Sequence, residues 1–467
     1  MMKKILRKIV PKFLLNFYHR ALAGLAAFVY GYPSRQMIVI GVTGTGGKST
    51  VVNLIGKILE EAGPPRLGEA GHTVGWTTTF NFKIARREWI NTTKMTMLGR
   101  FGLQKMLRQM VKAGCDYAIV ETSSEGILQS RHLGIDYDVA VFNNLHREHL
   151  ERHGGFEKYR AAKGKLFARL ISRRKTIAGR PIKKISVVNL DDAQAEYFLQ
   201  FPADEYYGFT IAESSKDWPA KIKVTRATKI NLHDAGADFE VAGPPRLDNS
   251  LVEAGPPRLG EAGQPCKIHL LGRFNVINAL AAIAVAVSQG VDLAVCGRAL
   301  EKIISMAGRM EVVSSYPFKV VVDYAHTPDE VEAVYKTFKK DHQRLICVLG
   351  AAGGGRDKWK RPEFGRIADN YAAEIIITNE DPYDEDPQQI IEQVAAGVVR
   401  HLVHKILDRR EAIKLALSLS RPSDVVIITG KGSEQCIMGP AGQRIPWNDR
   451  QAVCEILAKT EQQTKIS

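Results

Sequence analysis

The chain has 467 residues, 45% hydrophobic and 25% charged. That is enough for two or three domains with their own cores, and too balanced for a disordered, collagenous or multi-span membrane protein. The six cysteines are scattered without a C-x-x-C pair, which argues against a zinc knuckle, a redox motif or a secreted disulfide scaffold and fits a reducing cytoplasm. The net charge of +15 is accompanied by no basic patch interleaved with aromatics and no nucleic-acid module, so nucleic acid is not expected as a partner.

Seven of the positive charges fall in residues 1–36, a stretch without Asp or Glu. A basic cluster leads into an apolar run interrupted by Asn16, His19 and Arg20. The unbroken part, Ala21 to Tyr30, is about half of the roughly 20 residues a membrane-spanning helix needs. A cleaved signal peptide is disfavoured, because a nucleotide-type loop follows almost at once. The expectation is an amphipathic helix over residues 1–30 lying on an anionic membrane, at the inner face. The alternative is a helix docked on its own protein.

Residues 37–42, MIVIGV, suit a buried parallel strand; TGTGGKST follows, and VVNLIGKILEE continues with helical periodicity. Strand, glycine loop and helix make a phosphate-binding arrangement. Gly44, Gly46 and Gly47 let main-chain N–H groups face phosphate oxygens, Lys48 supplies a mobile cation, and the Ser49 hydroxyl suits Mg²⁺. The general G-x-x-x-x-G-K-[ST] spacing needs glycine at position 42, where Val42 stands, so the match is to the variant G-T-x-G-K-[ST]-T.

The sequence EAGPPRLGEAG occurs at 61–71 and again at 253–263, with AGPPRL at 242–247. Paired prolines exclude helix interiors and central strands, and the spacing is not that of a solenoid, so these are expected as inserted surface loops. Further along, DYAIVE ends at Glu121 and VAVFNNL leads to His149. Parallel sheets gather ligands at the carboxyl ends of their strands, which would bring both residues near Ser49. From about Gly308 strand and helix alternate again through KVVVDYAH, RLICVLGAAGGG, EIIITNEDP and DVVIITGKG.

The segments GVTGTGGKST, VETSSEGILQSRH, FNNLHREHLERHGGFEKYRAAKGKLF, GRFNVINALAA, GRMEVV, DYAHTPDE and GAAGGGRDKWKRPEFG occur in this order. Over about residues 37–460 the chain resembles the Mur ligases, most closely the branch that adds the third residue of the peptidoglycan stem peptide. The resemblance implies an α/β protein: a P-loop central ATPase domain with a parallel sheet at 37–306, and a C-terminal Rossmann-like α/β domain at 307–467, after the N-terminal segment 1–36. It implies an ATP-dependent ligase in which a carboxylate is phosphorylated and an incoming amine displaces phosphate, with a nucleotide-sugar peptide and an amino acid as substrates. Positioning and charge neutralisation carry such chemistry.

By the same resemblance Gly44, Thr45, Gly46, Gly47, Lys48, Ser49 and Thr50 form the ATP phosphate loop. Ser49 and Glu121 resemble ligands of one Mg²⁺, and Glu121 and His149 ligands of a second. Lys163 matches a lysine that the family carbamylates on Nζ, making it an anionic metal ligand. Thr92, Thr93, Ser123, Gln129 and Arg131 match contacts to the nucleotide-peptide substrate. Asn275 and Asn278 resemble residues beside the adenine, and Arg309 and Asp323 nucleotide contacts from the last domain. Arg356 matches a contact to the incoming amino acid, in a site completed by Gly430, Glu434 and the run Glu380, Asp381, Pro382, Tyr383.

Where diaminopimelate-adding members place an arginine, this chain has Tyr383, which puts diaminopimelate in doubt, while Glu434 is expected to pair with an amine and makes lysine a plausible acceptor. In the family a UDP-binding domain occupies about a hundred residues before the phosphate loop; here 40 residues precede Gly41. That leaves a uridine held by the remaining domains, or a lipid-linked substrate at the membrane. Ligases acting on folylpolyglutamate or cyanophycin are the neighbouring alternatives, and an ATP-hydrolysing regulatory protein is the alternative of another class.

Overall fold

The structure, a computed structural model, describes residues 12–62, 71–148, 150–213, 217–244, 263–315, 317–339 and 343–466. Two sheets organise it. The larger has eleven strands with Ile38–Thr43 at its centre, between Tyr117–Glu121 and Val139–Phe142, both parallel to it. The parallel run extends on one side through Ile185–Asn189, Glu205–Thr210 and Ile222–His233, and on the other to Val74–Thr77. Antiparallel strands close both margins: Asn81–Ile84 and Arg87–Ile90 at one, Gly236–Ala242 and Gln264–Ile268 at the other.

The central strands are buried along nearly their whole length, so they read as continuous β-branched runs rather than alternating ones. One face packs against helices Lys48–Ala62 and Arg273–Ser288, the second apolar almost all round and correspondingly buried. The other face is covered by helices Arg100–Lys112 and Phe156–Ala168. The smaller sheet has six strands in the order Glu311–Ser314, Lys319–Val322, Val425–Ile428, Leu345–Leu349, Glu374–Thr378, Val403–Ile406. All are parallel except the first.

The expected α/β architecture with a parallel central sheet and a second strand-helix unit is what the chain adopts. The antiparallel margins were not anticipated. They arise where hairpins such as Asn81–Ile90 need only a two-residue connection, whereas a parallel neighbour needs a crossover.

Near the N-terminus, Lys12–Val29 is a helix that buries Ala23, Ala26 and Ala27 toward helix Arg100–Lys112 and the turn Arg131–Gly134. Its other face leaves Phe17, Tyr18, Leu25, Phe28 and Val29 exposed. Among the described residues no helix is long and apolar enough to cross a membrane. The proline-rich repeats fall largely on residues 63–70 and 245–262, outside the described residues. The first follows helix Lys48–Ala62 and the second joins antiparallel strands Gly236–Ala242 and Gln264–Ile268.

Candidate active site

Three neighbouring strands deliver the first half of the site to one edge. At the end of Ile38–Thr43 the chain turns through Gly44 to Gly47 into helix Lys48–Ala62. Gly47 has φ +73°, a left-handed conformation that glycine adopts without strain. The loop is braced from the next strand's end: Asn144 Oδ1 accepts from Thr45 N at 3.0 Å and Gly46 N at 2.8 Å, and Asn143 Nδ2 donates to Gly46 O at 3.1 Å. Lys48 lies in the cleft with Nζ donating to Thr45 O at 2.6 Å.

From the other neighbouring strand comes Glu121. Its Oε2 accepts from Ser49 Oγ at 2.6 Å and Thr79 N at 2.8 Å, and its Oε1 from Thr79 Oγ1 at 3.0 Å. The predicted meeting of Ser49 and Glu121 is therefore direct. Lys163, from helix Phe156–Ala168, is buried beneath the loop and donates to Gly44 O at 2.6 Å, with Nζ 4.5 Å from the centre of the Tyr159 ring. Burial first, and then the Lys48 charge, push its ammonium well below the ordinary lysine value, against the opposing pull of Glu148 and Glu121. His149 lies outside the described residues.

A second cavity of about 1160 Å³ opens on the far side of the phosphate loop. Thr50, Asn275, Asn278, Arg309 and Asp323 all line it, as does the ring of Phe274. Asn278 Oδ1 accepts from Asn143 at 2.9 Å and its Nδ2 donates to Asn275 Oδ1 at 3.0 Å, so Asn278 links helix Arg273–Ser288 to the residue that braces the loop, with Asn275 behind it. Asp323 follows strand Lys319–Val322 and accepts from Met310 N at 2.7 Å and Ala325 N at 2.6 Å. Burial pushes its carboxyl up to about 6, opposed by Arg309.

Across the main cleft stand the carboxyl ends of the smaller sheet. Arg356, Glu380, Asp381, Tyr383, Gly430 and Glu434 all line this cleft with the phosphate loop, Ser123 and Glu121, around about 1250 Å³ of space. Lys431, fully buried, pairs with Asp381 at 2.6 Å and also with Glu434. Tyr383 sits at φ +53° beyond Pro382, with its N donating to Met438 O at 3.0 Å. Thr92 lines an adjoining smaller cavity, where Arg444 donates to its carbonyl at 3.0 Å, while Thr93 Oγ1 turns to Asn91 Oδ1 at 2.6 Å. Gln129 and Arg131 are not brought into the cleft lining; Arg131 donates to Gln129 Oε1 at 2.7 Å and to Met97 O.

Sequence reasoning missed Asn143, Asn144, Glu148 and Lys94. Glu148 is buried in the cleft, with His326 Nε2 at 3.6 Å and Lys360 Nζ at 3.8 Å reaching it from the second unit. The signal was available for the asparagines, which follow a buried strand directly at the edge where ligands collect. Lys94 carried no signal, because its partners lie some 290 to 340 positions away.

Residues 42–286 match the model of the Mur ligase middle domain, and residues 308–432 that of the Mur ligase glutamate ligase domain. The chain is 35% identical over 428 residues, 91% of its length and 79% of the relative's, to the UDP-N-acetylmuramoyl-L-alanyl-D-glutamate--2,6-diaminopimelate ligase of Halalkalibacterium halodurans. It is 36% identical over 450 residues, 93% of its length and 82% of the relative's, to the UDP-N-acetylmuramyl-tripeptide synthetase of a Roseiflexus species. A solved UDP-N-acetylmuramoyl-L-alanyl-D-glutamate--2,6-diaminopimelate ligase superposes with a TM-score of 0.55 at 30% identity, covering 91% of this chain and 79% of that one. Folylpolyglutamate synthase of Mycobacterium tuberculosis shares the fold, with a TM-score of 0.63 at 17% identity over 88% of this chain and 92% of that one.

Proposed function

The chain belongs to the Mur ligase family, ATP-dependent enzymes that form a carbon–nitrogen bond, and from that premise we propose that it joins an amino acid to the carboxylate of a UDP-N-acetylmuramoyl dipeptide in peptidoglycan precursor synthesis. The observation that carries this reading is the facing of two strand-end clusters across one cleft. The phosphate loop, Glu121 and Lys163 stand on one side, and Arg356, Asp381 and Glu434 on the other. We divide the chain accordingly at 36/37 and 306/307.

In this reading the loop N–H groups and Lys48 hold the β and γ phosphates, while Asn275, Asn278, Arg309 and Asp323 seat the nucleoside. The Ser49 hydroxyl and Glu121 carboxylate are hard oxygen donors side by side, a set that fits Mg²⁺, with His149 as a further ligand. A Mg²⁺ held there would supply charge neutralisation for the substrate carboxylate and the transferring phosphoryl group. Carbamylated on Nζ, Lys163 adds an anionic oxygen ligand from beneath the loop. Thr92, Thr93 and Ser123 orient the carboxylate substrate, and Arg356 the incoming amino acid, whose amine then attacks the acyl phosphate and expels phosphate.

The test is phosphate release by the purified protein with ATP, UDP-N-acetylmuramoyl-L-alanyl-D-glutamate and one amino acid at a time, with product mass. Release that depends on both partners and a product heavier by one residue is expected. Release indifferent to every amino acid would instead indicate a hydrolase, and no coupling would indicate another carboxylate substrate.

Asp323 supplies a pH dependence. Its folded-state carboxyl is raised from 3.8 to about 6, so stability linked to this group is full below about 3.8 and is lost as pH rises through about 6. Nucleotide binding runs the other way, because the ionised carboxylate is the better acceptor for ribose hydroxyls. ATP affinity measured by calorimetry is expected to fall as pH drops below about 6, and Asp323→Asn to remove the part of that fall that exceeds the protonation of the ATP phosphates themselves.

We also place the enzyme in the cytoplasm, touching the inner face of the membrane through residues 1–30. Phe17 and Phe28 of the N-terminal helix are 71% and 67% exposed on a segment without acidic residues, the pattern of an interfacial helix. Cosedimentation with phosphatidylglycerol vesicles is expected for the wild type and not for Phe17→Asp/Phe28→Asp. Equal binding to phosphatidylcholine vesicles, or none to either, would remove this contact.

A further inference from the structure

Lys94 lies in the loop after strand Arg87–Ile90, on the larger sheet's side of the cleft, and its backbone is in the left-handed region at φ +58°. Its side chain crosses to the second unit. Nζ is 2.6 Å from Glu434 Oε2, 3.0 Å from Cys436 O and 3.3 Å from Asp381 Oδ2. An ammonium has three donors, and here all three are taken. The loop is tied down beside it, since Arg444 from the second unit donates to Thr92 O at 3.0 Å.

The same two carboxylates are held from below by Lys431, which pairs with Asp381 at 2.6 Å and with Glu434. Two lysines therefore answer these two acids. Glu380 also lines the cleft but is buried; burial pushes its carboxyl upward, opposed by the Lys431 charge. The other charged groups nearby are cationic: Arg309 and Arg444 line the adjoining cavity of about 790 Å³, and Arg356 lines the main cleft. Lys94 belongs to the wall of both, so a side chain extending from the cleft toward Glu434 meets an ammonium already in place.

We propose that Lys94 is a specificity-determining residue that occupies the ammonium position opposite Glu434, so that the enzyme selects acceptor amino acids whose side chains carry no positive charge. This rests on the ligase reading and reverses the expectation that Glu434 favours lysine. A second ammonium entering there would find Asp381 and Glu434 already paired and would lie against Lys94 and Lys431, a repulsive device of the kind that sets specificity.

The experiment compares kcat/KM for alanine, serine, ornithine and lysine in the wild type, Lys94→Met and Lys94→Arg, with product mass as readout and a melting curve for each protein. The wild type is expected to prefer its best neutral acceptor over lysine by about 100-fold. Lys94→Met should cut that ratio at least tenfold, and Lys94→Arg should keep it. Because the readout is a ratio within one protein, a general loss of activity does not mimic it. Wild-type coupling of lysine as good as that of neutral acceptors, or an unchanged ratio in Lys94→Met, overturns the inference and leaves the ligase. No product with any acceptor removes the ligase reading and the inference with it.

Discussion

Lys163→Ala is expected to lower ATP-dependent amide formation by about 10²–10³-fold, the range found when one group that stabilises transition-state charge is removed. Lys163 is completely enclosed and donates to the Gly44 carbonyl at 2.6 Å. A charged ammonium in that position is penalised by desolvation and by Lys48. The lysine thus tends to its neutral form, which has a lone pair able to attack carbon dioxide and form a carbamate. A carbamate at this position would place an anionic oxygen donor beneath the phosphate loop, where Mg²⁺ would need oxygen ligands.

Two measurements separate this role from packing. Isotopically labelled bicarbonate should give a carbamate signal in the wild type and none in Lys163→Ala. Lys163→Glu, which restores an anionic carboxylate, should recover part of the rate where Lys163→Met does not. Full turnover by Lys163→Ala would end the assignment. So would a rate loss without any carbamate signal in the wild type.

The legible parts of this site share a physical basis. A phosphate loop is local, with strand, glycines, lysine and serine contiguous in sequence. Glu121 ends a recognisable buried strand, and adjacency in a parallel sheet brings it to Ser49 at 2.6 Å. Lys163 was singled out through family resemblance, and its burial sets it apart from a lysine on a helix surface. Contacts made by long side chains across the cleft were not legible, since no local pattern encodes Lys94 meeting Glu434 or Lys360 meeting Glu148. Gln129 and Arg131, which the resemblance places at the substrate, do not line the cleft; here Arg131 donates to Gln129 beside Met97.

Gly47→Ala is expected to weaken ATP binding by about 100-fold while the fold persists. Two independent obstacles meet at this residue. At φ +73° any residue with a Cβ is strained, by roughly 1–2 kcal/mol. An added Cβ would also lie 2.3 Å from Asn278 Oδ1 and 2.6 Å from Asn143 Nδ2. These two amides hydrogen-bond each other at 2.9 Å, and Asn143 also holds Gly46 O. To admit the methyl group they must part, which breaks the link to helix Arg273–Ser288 and disturbs the Asn143 brace, leaving the Asn144 bonds to hold the loop to the strand end. A few kcal/mol of distortion, at about 1.4 kcal/mol per tenfold, gives the expected loss of affinity. Gly99→Ala is the control: Gly99 precedes helix Arg100–Lys112 with φ −58° and has nothing within 4 Å of an added Cβ. Calorimetric titration with MgATP should show wild-type binding for Gly99→Ala and the loss only for Gly47→Ala. If Gly47→Ala bound ATP normally, the loop braced by Asn143 and Asn278 would not be where the phosphates sit, and the nucleotide would have to be placed elsewhere in the cleft.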